Sequence, residues 1–238
     1  MAIGDNDLRL PAALRPAILA HLDDLRQVLT ARGRGSRVGF GERPALVVID
    51  LAKKWVDKDS PAVGSDLESV VEHTCKLLDA ARKAEIPIFF TTIASGIDDP
   101  IAPNRLKQPP NAHLGTEGSE LDPRLGRRPT EKLIVKKYAS TFKGTDFSEM
   151  LVTLGVDTLI VTGCSTSHCV YATCRDAVSS YRVIVPKEAV GDRCELNHLV
   201  FLQDIDMALG DVMPVSEVID RLGEIKGRTE LPRVVRAV

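Results

Sequence analysis

No apolar run in this chain approaches the roughly 20 residues that a helix needs to cross a bilayer, so a helical membrane span is not expected. Residues 1–30 carry neither the apolar core nor the small-residue cleavage site of a secretory signal, and a cytoplasmic protein is expected. Strong charge of one sign is missing too. The 31 Lys and Arg against 33 Asp and Glu leave a net charge of −2, which gives no electrostatic basis for binding nucleic acid or an anionic membrane. There is no C-x-x-C pair, and the cysteines (Cys75, Cys164, Cys169, Cys174 and Cys194) are odd in number. That argues against a disulfide framework and against structural zinc, leaving reduced thiols. What is present is ordinary. With 238 residues, 44% hydrophobic and 27% charged, the chain has material for one domain with a sizeable core and an appendage.

The appendage is residues 1–37. Leu8, Leu10, Leu14, Ile18, Leu19, Leu22, Leu25, Val28 and Leu29 recur at helical spacing from Pro11 onward, and Arg32-Gly33-Arg34-Gly35-Ser36-Arg37 reads as a flexible basic link. A helical arm with an unshared apolar face packs on its own body or on a neighbouring subunit, and the expectation leans towards a homo-oligomer. From residue 38 to 238 the pattern changes to alternating strands and helices. Strands are predicted at Ala45–Ile49, Ile86–Thr92, Leu133–Val135, Leu159–Val161, Arg182–Pro186 and, at an edge, Asp211–Met213. Helices are predicted at 66–84, 147–154 (capped by Asp146), 170–180, 197–209 and 216–222, with a loosely held tail after Gly223. Strands reading as continuous apolar runs between helices predict an α/β fold, an open, mostly parallel sheet covered on both faces. The long stretch 94–130, rich in Pro, Gly, Asn and Asp, reads as a lid or the wall of a binding site.

In such sheets ligands bind beyond the carboxyl ends of the strands. Three reactive groups fall there: Asp50, Lys136 and Cys169. Each alone has a bland reading, as a helix cap, a solvated amine or a small buried hydrophobe. Delivered to one rim, they become a thiol with a proton acceptor and a positive charge beside it. Cys169 is expected at the first turn of a helix, where open N–H groups and the helix dipole lower a thiol pKa. The small residues from Gly163 to Ser167 allow close backbone approach, with the N–H groups of Ser165 and Cys169 expected as the oxyanion hole.

Val47-Val48-Ile49-Asp50, the run Lys136-Lys137-Tyr138-Ala139-Ser140-Thr141-Phe142-Lys143-Gly144-Thr145 and Thr162-Gly163-Cys164-Ser165-Thr166-Ser167-His168-Cys169-Val170 together resemble the isochorismatase-like cysteine hydrolases. The likeness runs from about Val38 to Leu222. It implies a three-layer α/β/α fold and a dimer or tetramer. It also implies Cys169 as nucleophile, Asp50 as general base and acid, and Lys136 as charge partner, since Lys136 and Ser140 match the family's K-x-x-x-S. A cis peptide at Cys164–Ser165 and an arginine, Arg193, clamping a substrate carboxylate follow from the same likeness. The implied activity is amide hydrolysis with ammonia release, on a small carboxylate-bearing amide or ureido compound, through a thioester or carbamoyl-enzyme.

One departure bears on cofactors. Metal-dependent members carry D-x-H-x-x-H after the second strand, where this chain has Ile93-Ala94-Ser95-Gly96-Ile97-Asp98-Asp99. No metal and no other cofactor is expected, and the only partner of the site is a small-molecule substrate. Trp55, Tyr138 and Phe142 are candidates for walls of the pocket or for core packing. His168 is expected to point away from Cys169 and to be structural, Cys164 and Cys174 to be core, and Cys75 to sit on a helix face. Two rival functions remain: vinyl-ether cleavage of the isochorismatase type, which uses no cysteine nucleophile, and a catalytically silent assembly subunit.

Overall fold

The computed structural model describes residues 8–59, 64–96, 99, 107 and 112–225. Its frame is a parallel sheet of β1 (Pro44–Ile49), β2 (Ile88–Ser95), β3 (Ala112–His113), β4 (Lys132–Lys136), β5 (Thr158–Cys164), β6 (Arg182–Pro186), β7 (Val190–Gly191) and β8 (Asp211–Met213). The path runs β3-β2-β1-β5-β6-β8, with β4 also pairing β2 and β7 pairing β5, and every strand pair is parallel. Six of the strands match the predicted runs. The two-residue strands β3 and β7 were not expected, and β2 starts two residues later than its apolar run because Pro87 lacks an N–H for the ladder.

The helices are α1 (Arg15–Ala31), α2 (Lys53–Val56), α3 (Glu68–Lys83), α4 (Phe147–Thr153), α5 (Tyr171–Ala177), α6 (Glu195–Ala208) and α7 (Val215–Ile225). Side chains alternate along each strand, so one sheet yields two cores. Leu46, Val48, Phe90, Ile160 and Ile184 face α3 and α7. Ala45, Val47, Ile49, Leu159, Val161 and Val183 face α4, α5 and the inner residues of α6. The outcome is the predicted α/β/α layering.

Several boundaries differ from the sequence reading. The last helix continues to Ile225, beyond Gly223, and the remainder of the tail lies outside the described residues, as do residues 1–7 of the arm and most of 97–111 in the long loop. At the start of α4 the hydrogen bond to Phe147 N–H comes from Thr145 Oγ1 (3.2 Å), not from Asp146. The arm helix begins at Arg15 rather than Pro11, Pro16 occupying its first turn, where a missing N–H costs nothing. It docks on its own body beside α6, yet buries no residue fully, and Leu14, Leu25 and Val28 stay exposed. The basic link is pinned at its far end. Asp211 accepts the N–H groups of Val38 (3.0 Å) and Gly39 (2.8 Å), and Arg37 donates to Val212 O at 3.1 Å. Among the described residues no helix is long and apolar enough to cross a membrane.

Candidate active site

The chain order places the switch of the sheet at β1 and β5, since β1 is followed outward by β2 on one side while β5 leads to β6 on the other. The crevice at their carboxyl ends is where an open α/β sheet offers room for a ligand. Ile49, the last residue of β1, lies beside Gly163 of β5. Gly163 has φ +106°, and a Cβ there would fall on the carbonyl of Ile49, so no other residue fits. Asp50 then leaves the strand in the left-handed region, at φ +51°, an uncommon conformation for a side-chain-bearing residue and one tolerated best by Asn and Asp.

Asp50 is 1% exposed. Thr91, on the neighbouring strand β2, donates its hydroxyl to Asp50 Oδ1 at 2.6 Å. The other oxygen, Oδ2, has the Lys136 ammonium at 2.7 Å as ion-pair partner but no aligned hydrogen bond. Oδ2 is therefore the oxygen with capacity left for a proton. Lys136 ends β4, two strands from β1, a spacing of about 9–10 Å that needs a side chain of lysine or arginine length. Its ammonium is 0% exposed and donates to Tyr138 O (3.2 Å) and Ala139 O (3.0 Å). Burial works against that charge, but Asp50 and then Cys169 outweigh it and hold Lys136 above its ordinary value.

Cys169 arrives from the other side. Beyond β5 the Cys164–Ser165 peptide is cis, and residues Thr166–Val170 form a π-turn in which Ser165 O accepts the N–H groups of both His168 (3.0 Å) and Val170 (3.2 Å). The predicted simple helix start is thus corrected: Cys169 sits in a wider turn that precedes α5, and α5 itself ends at Ala177. Thr173 locks the turn by donating to Cys169 O at 2.8 Å while accepting Thr141 N–H at 3.1 Å, which ties the nucleophile's turn to the Lys136–Ser140 segment. Ser140 itself accepts the N–H of Phe142 at 3.2 Å and so shapes that segment.

Lys136 and Asp50 are the charged groups that act most strongly on the Cys169 thiol. Its charge state differs from the sequence expectation. Burial is the largest influence and pushes the thiol up to about 12; Lys136 pulls it down, and Asp50 pushes it up again. The turn's dipole does not decide the matter, because the sulfur is enclosed and a carboxylate faces it. The resting group is a neutral thiol, with Asp50 beside it on the same pocket. Difference absorbance at 240 nm between the wild type and Cys169→Ala checks this, and no thiolate step is expected between about pH 6 and 10. A step near neutrality would show that the ammonium, not burial, sets the thiol.

A pocket of about 80 Å³ opens over Asp50 and Cys169, lined also by Trp55, Ile93, Lys137, Tyr138, Ala139, Cys164, Ser165, His168 and Arg193. A wider, shallower depression of about 790 Å³ lies beside Lys53, His113 and Arg124, but it reaches none of the three reactive groups, so the smaller pocket is the site. Trp55, Tyr138, Ser165 and Arg193 line this pocket. Phe142 takes the other of its two expected places, the core. It packs against Phe147 (4.9 Å between ring centroids) and Tyr181 (6.1 Å) in the core under α4. His168 borders the pocket, and its Nδ1 pairs with Ser167 Oγ at 2.9 Å. Cys164 is buried and donates to Asp50 O at 3.3 Å, which turns it towards the backbone. Thr91 was missed, although a threonine pair inside the apolar run Ile88-Phe89-Phe90-Thr91-Thr92-Ile93 is a visible signal.

Comparison with known proteins places the fold in a family. The model of the isochorismatase domain matches residues 44–217. N-carbamoylsarcosine amidase of Arthrobacter sp. is 32% identical over 226 residues, covering 92% of this chain and 84% of the relative. Maleamate amidohydrolase of Pseudomonas putida is 32% identical over 202 residues, 81% and 93% of the two chains. Among solved structures, an isochorismatase family protein from Desulfovibrio vulgaris superposes with a TM-score of 0.70 at 26% identity, over 77% of this chain and all of the other (100%). With the parallel sheet, the cis turn and the reactive rim already in place, these matches decide the family: the chain belongs to the isochorismatase-like hydrolases.

Proposed function

We propose that the protein is a cysteine-dependent amidohydrolase that cleaves the C–N bond of a small carboxylate-bearing amide or ureido compound and releases ammonia. The observation that carries the reading is that the Cys169 thiol shares one pocket with Asp50, which is ion-paired to the buried Lys136. The activities named for two relatives, on N-carbamoylsarcosine and on maleamate, support the substrate class. Vinyl-ether cleavage asks nothing of this thiol.

Because the thiol is neutral at rest, attack and proton transfer are coupled. Cys169 Sγ bonds to the carbonyl carbon as its proton passes to Asp50 Oδ2, and the carbonyl π electrons move to oxygen. The N–H groups of Ser165 and Cys169 hold that oxyanion. When the C=O bond re-forms, the C–N bond breaks and Asp50 returns its proton to nitrogen, so ammonia leaves. Asp50 next takes a proton from water as the water oxygen adds to the thioester. Collapse expels the sulfur, which recovers the proton from Asp50. Throughout, Lys136 keeps its charge and compensates the carboxylate. Arg193 on the rim binds the substrate carboxylate through paired N–H donors.

Ammonia release from N-carbamoylsarcosine, maleamate, nicotinamide and simple aliphatic amides tests this. Turnover concentrated on the two acids, with that preference lost in Arg193→Ala, is the expected outcome. Equal rates on neutral amides would remove the clamp, and no turnover anywhere would remove the enzyme.

A further inference from the structure

The segment that carries Arg193 is gripped from both flanks, and one grip belongs to the N-terminal arm. On the inner side Gly191 pairs with Cys164 of β5. Asp192 Oδ2 accepts from Ser167 N (2.9 Å) and Ser167 Oγ (2.6 Å), and its Oδ1 accepts from Cys194 N (3.1 Å). On the outer side Leu8 forms a parallel bridge to Cys194: Leu8 N–H donates to Arg193 O at 2.6 Å, and Leu8 O accepts Glu195 N–H at 3.0 Å. The Glu195 carboxylate then takes Leu10 N–H at 2.9 Å and Arg15 Nε at 2.6 Å. Four contacts thus join an otherwise weakly buried arm to the two residues flanking Cys194, and one of those two is the arginine that lines the pocket.

We propose that the arm is a positioning element for Arg193, a latch that fixes the backbone from which the guanidinium reaches the substrate carboxylate, and so sets affinity for acidic substrates. This rests on the reading of Arg193 as carboxylate clamp. An arginine side chain is long and loses much rotamer freedom when it binds, so a fixed backbone on both sides of it is what keeps its reach constant. Releasing the outer grip leaves the Asp50–Lys136–Cys169 group untouched, because none of the latch contacts involves it. The effect therefore falls on binding of the carboxylate and not on the chemical step.

The test uses the full chain and two probes, maleamate and its methyl ester, in which a methyl group replaces the negative charge. Leu8→Pro removes the N–H that Arg193 O accepts, at a residue 40% exposed, while Leu8→Ala keeps it. Arg15→Ala cuts the ion pair to Glu195 at a side chain 53% exposed, so neither change threatens the core. If the unlatched arginine is competent about a tenth of the time, KM for maleamate rises about tenfold in Leu8→Pro. A smaller rise is expected in Arg15→Ala. In both, kcat and the KM of the ester stay at wild-type values, and Leu8→Ala matches the wild type. An unchanged KM in Leu8→Pro, with Arg193→Ala still losing the acid preference, overturns the latch alone. Arg193→Ala without effect, or no turnover of either probe, overturns the clamp reading and the latch with it.

Discussion

Cys169→Ala is expected to lose about 10^4- to 10^6-fold in turnover, the range seen when a covalent nucleophile is removed from a site that otherwise still binds substrate. The loss follows from what remains. Without sulfur, Asp50 would have to direct water at an unactivated amide from a position built around an intervening thiol, and no covalent intermediate divides the barrier. Cys169→Ser is expected to recover little. Its hydroxyl is less acidic than a thiol and its shorter C–O bond draws the nucleophile back from the substrate, while the proton acceptor stays the same carboxylate. Folding should be little affected, since Cys169 lines a pocket rather than the packed core and its turn is held by backbone bonds to Ser165 O and by Thr173. The measurement is ammonia release under saturating substrate, paired with mass spectrometry of acid-quenched wild-type enzyme. A mass increase on the peptide carrying Cys169, absent from Cys169→Ala, identifies the intermediate. Near-normal turnover in either variant would eliminate the covalent route and revive vinyl-ether or direct-water chemistry.

The frame of this site was legible because its elements are strongly patterned. Val47-Val48-Ile49 and Leu159-Ile160-Val161 have no reading other than strands buried on both faces, and residues that follow such strands reach the ligand end of a parallel sheet. What escaped the sequence is what depends on distance or on offset. Thr91 acts on Asp50 across 41 positions, and a threonine in a strand advertises only its β-propensity. The π-turn at Thr166–Val170 is a one-residue change of hydrogen-bond offset that side-chain periodicity does not encode. Phe142 sits in a polar, glycine-containing segment, as a pocket wall would, yet Phe147 and Tyr181 draw it inward. The protonation state of Cys169 was misread for the same reason. Local logic at a helix start lowers a thiol pKa, whereas desolvation and the carboxylate opposite are properties of the assembled fold. The arm's contact with Arg193 joins residues 185 positions apart and left no trace in the pattern of either segment.

Lys136→Met should cost both activity and stability, and the two losses separate in the double variant. The ammonium is fully buried, and its partners are Asp50 Oδ2 and two backbone carbonyls. Removing it leaves a carboxylate at 1% exposure without its counter-charge, a change worth about 3–5 kcal/mol when one member of a buried pair is deleted. In a domain with about 5–15 kcal/mol in total, that is a large fraction and should appear as a lower urea midpoint with an unchanged slope. Without the ammonium nothing offsets the charge that develops beside Asp50 as sulfur attacks, and nothing holds Oδ2 in place to accept the proton of Cys169. Turnover is therefore expected to fall about 10^3-fold or more, comparable with removal of a general base together with its electrostatic partner. Lys136→Arg should not restore it, because the planar guanidinium does not fit a slot that holds one ammonium between two carbonyls and a carboxylate. Asp50→Asn combined with Lys136→Met removes both charges, so most of the stability should return while activity stays absent. Recovery of turnover in the double variant would mean that the pair only holds the fold. Stability unchanged in Lys136→Met would mean that Asp50 carries no charge for the lysine to neutralise, and either result would remove the proton acceptor from the mechanism.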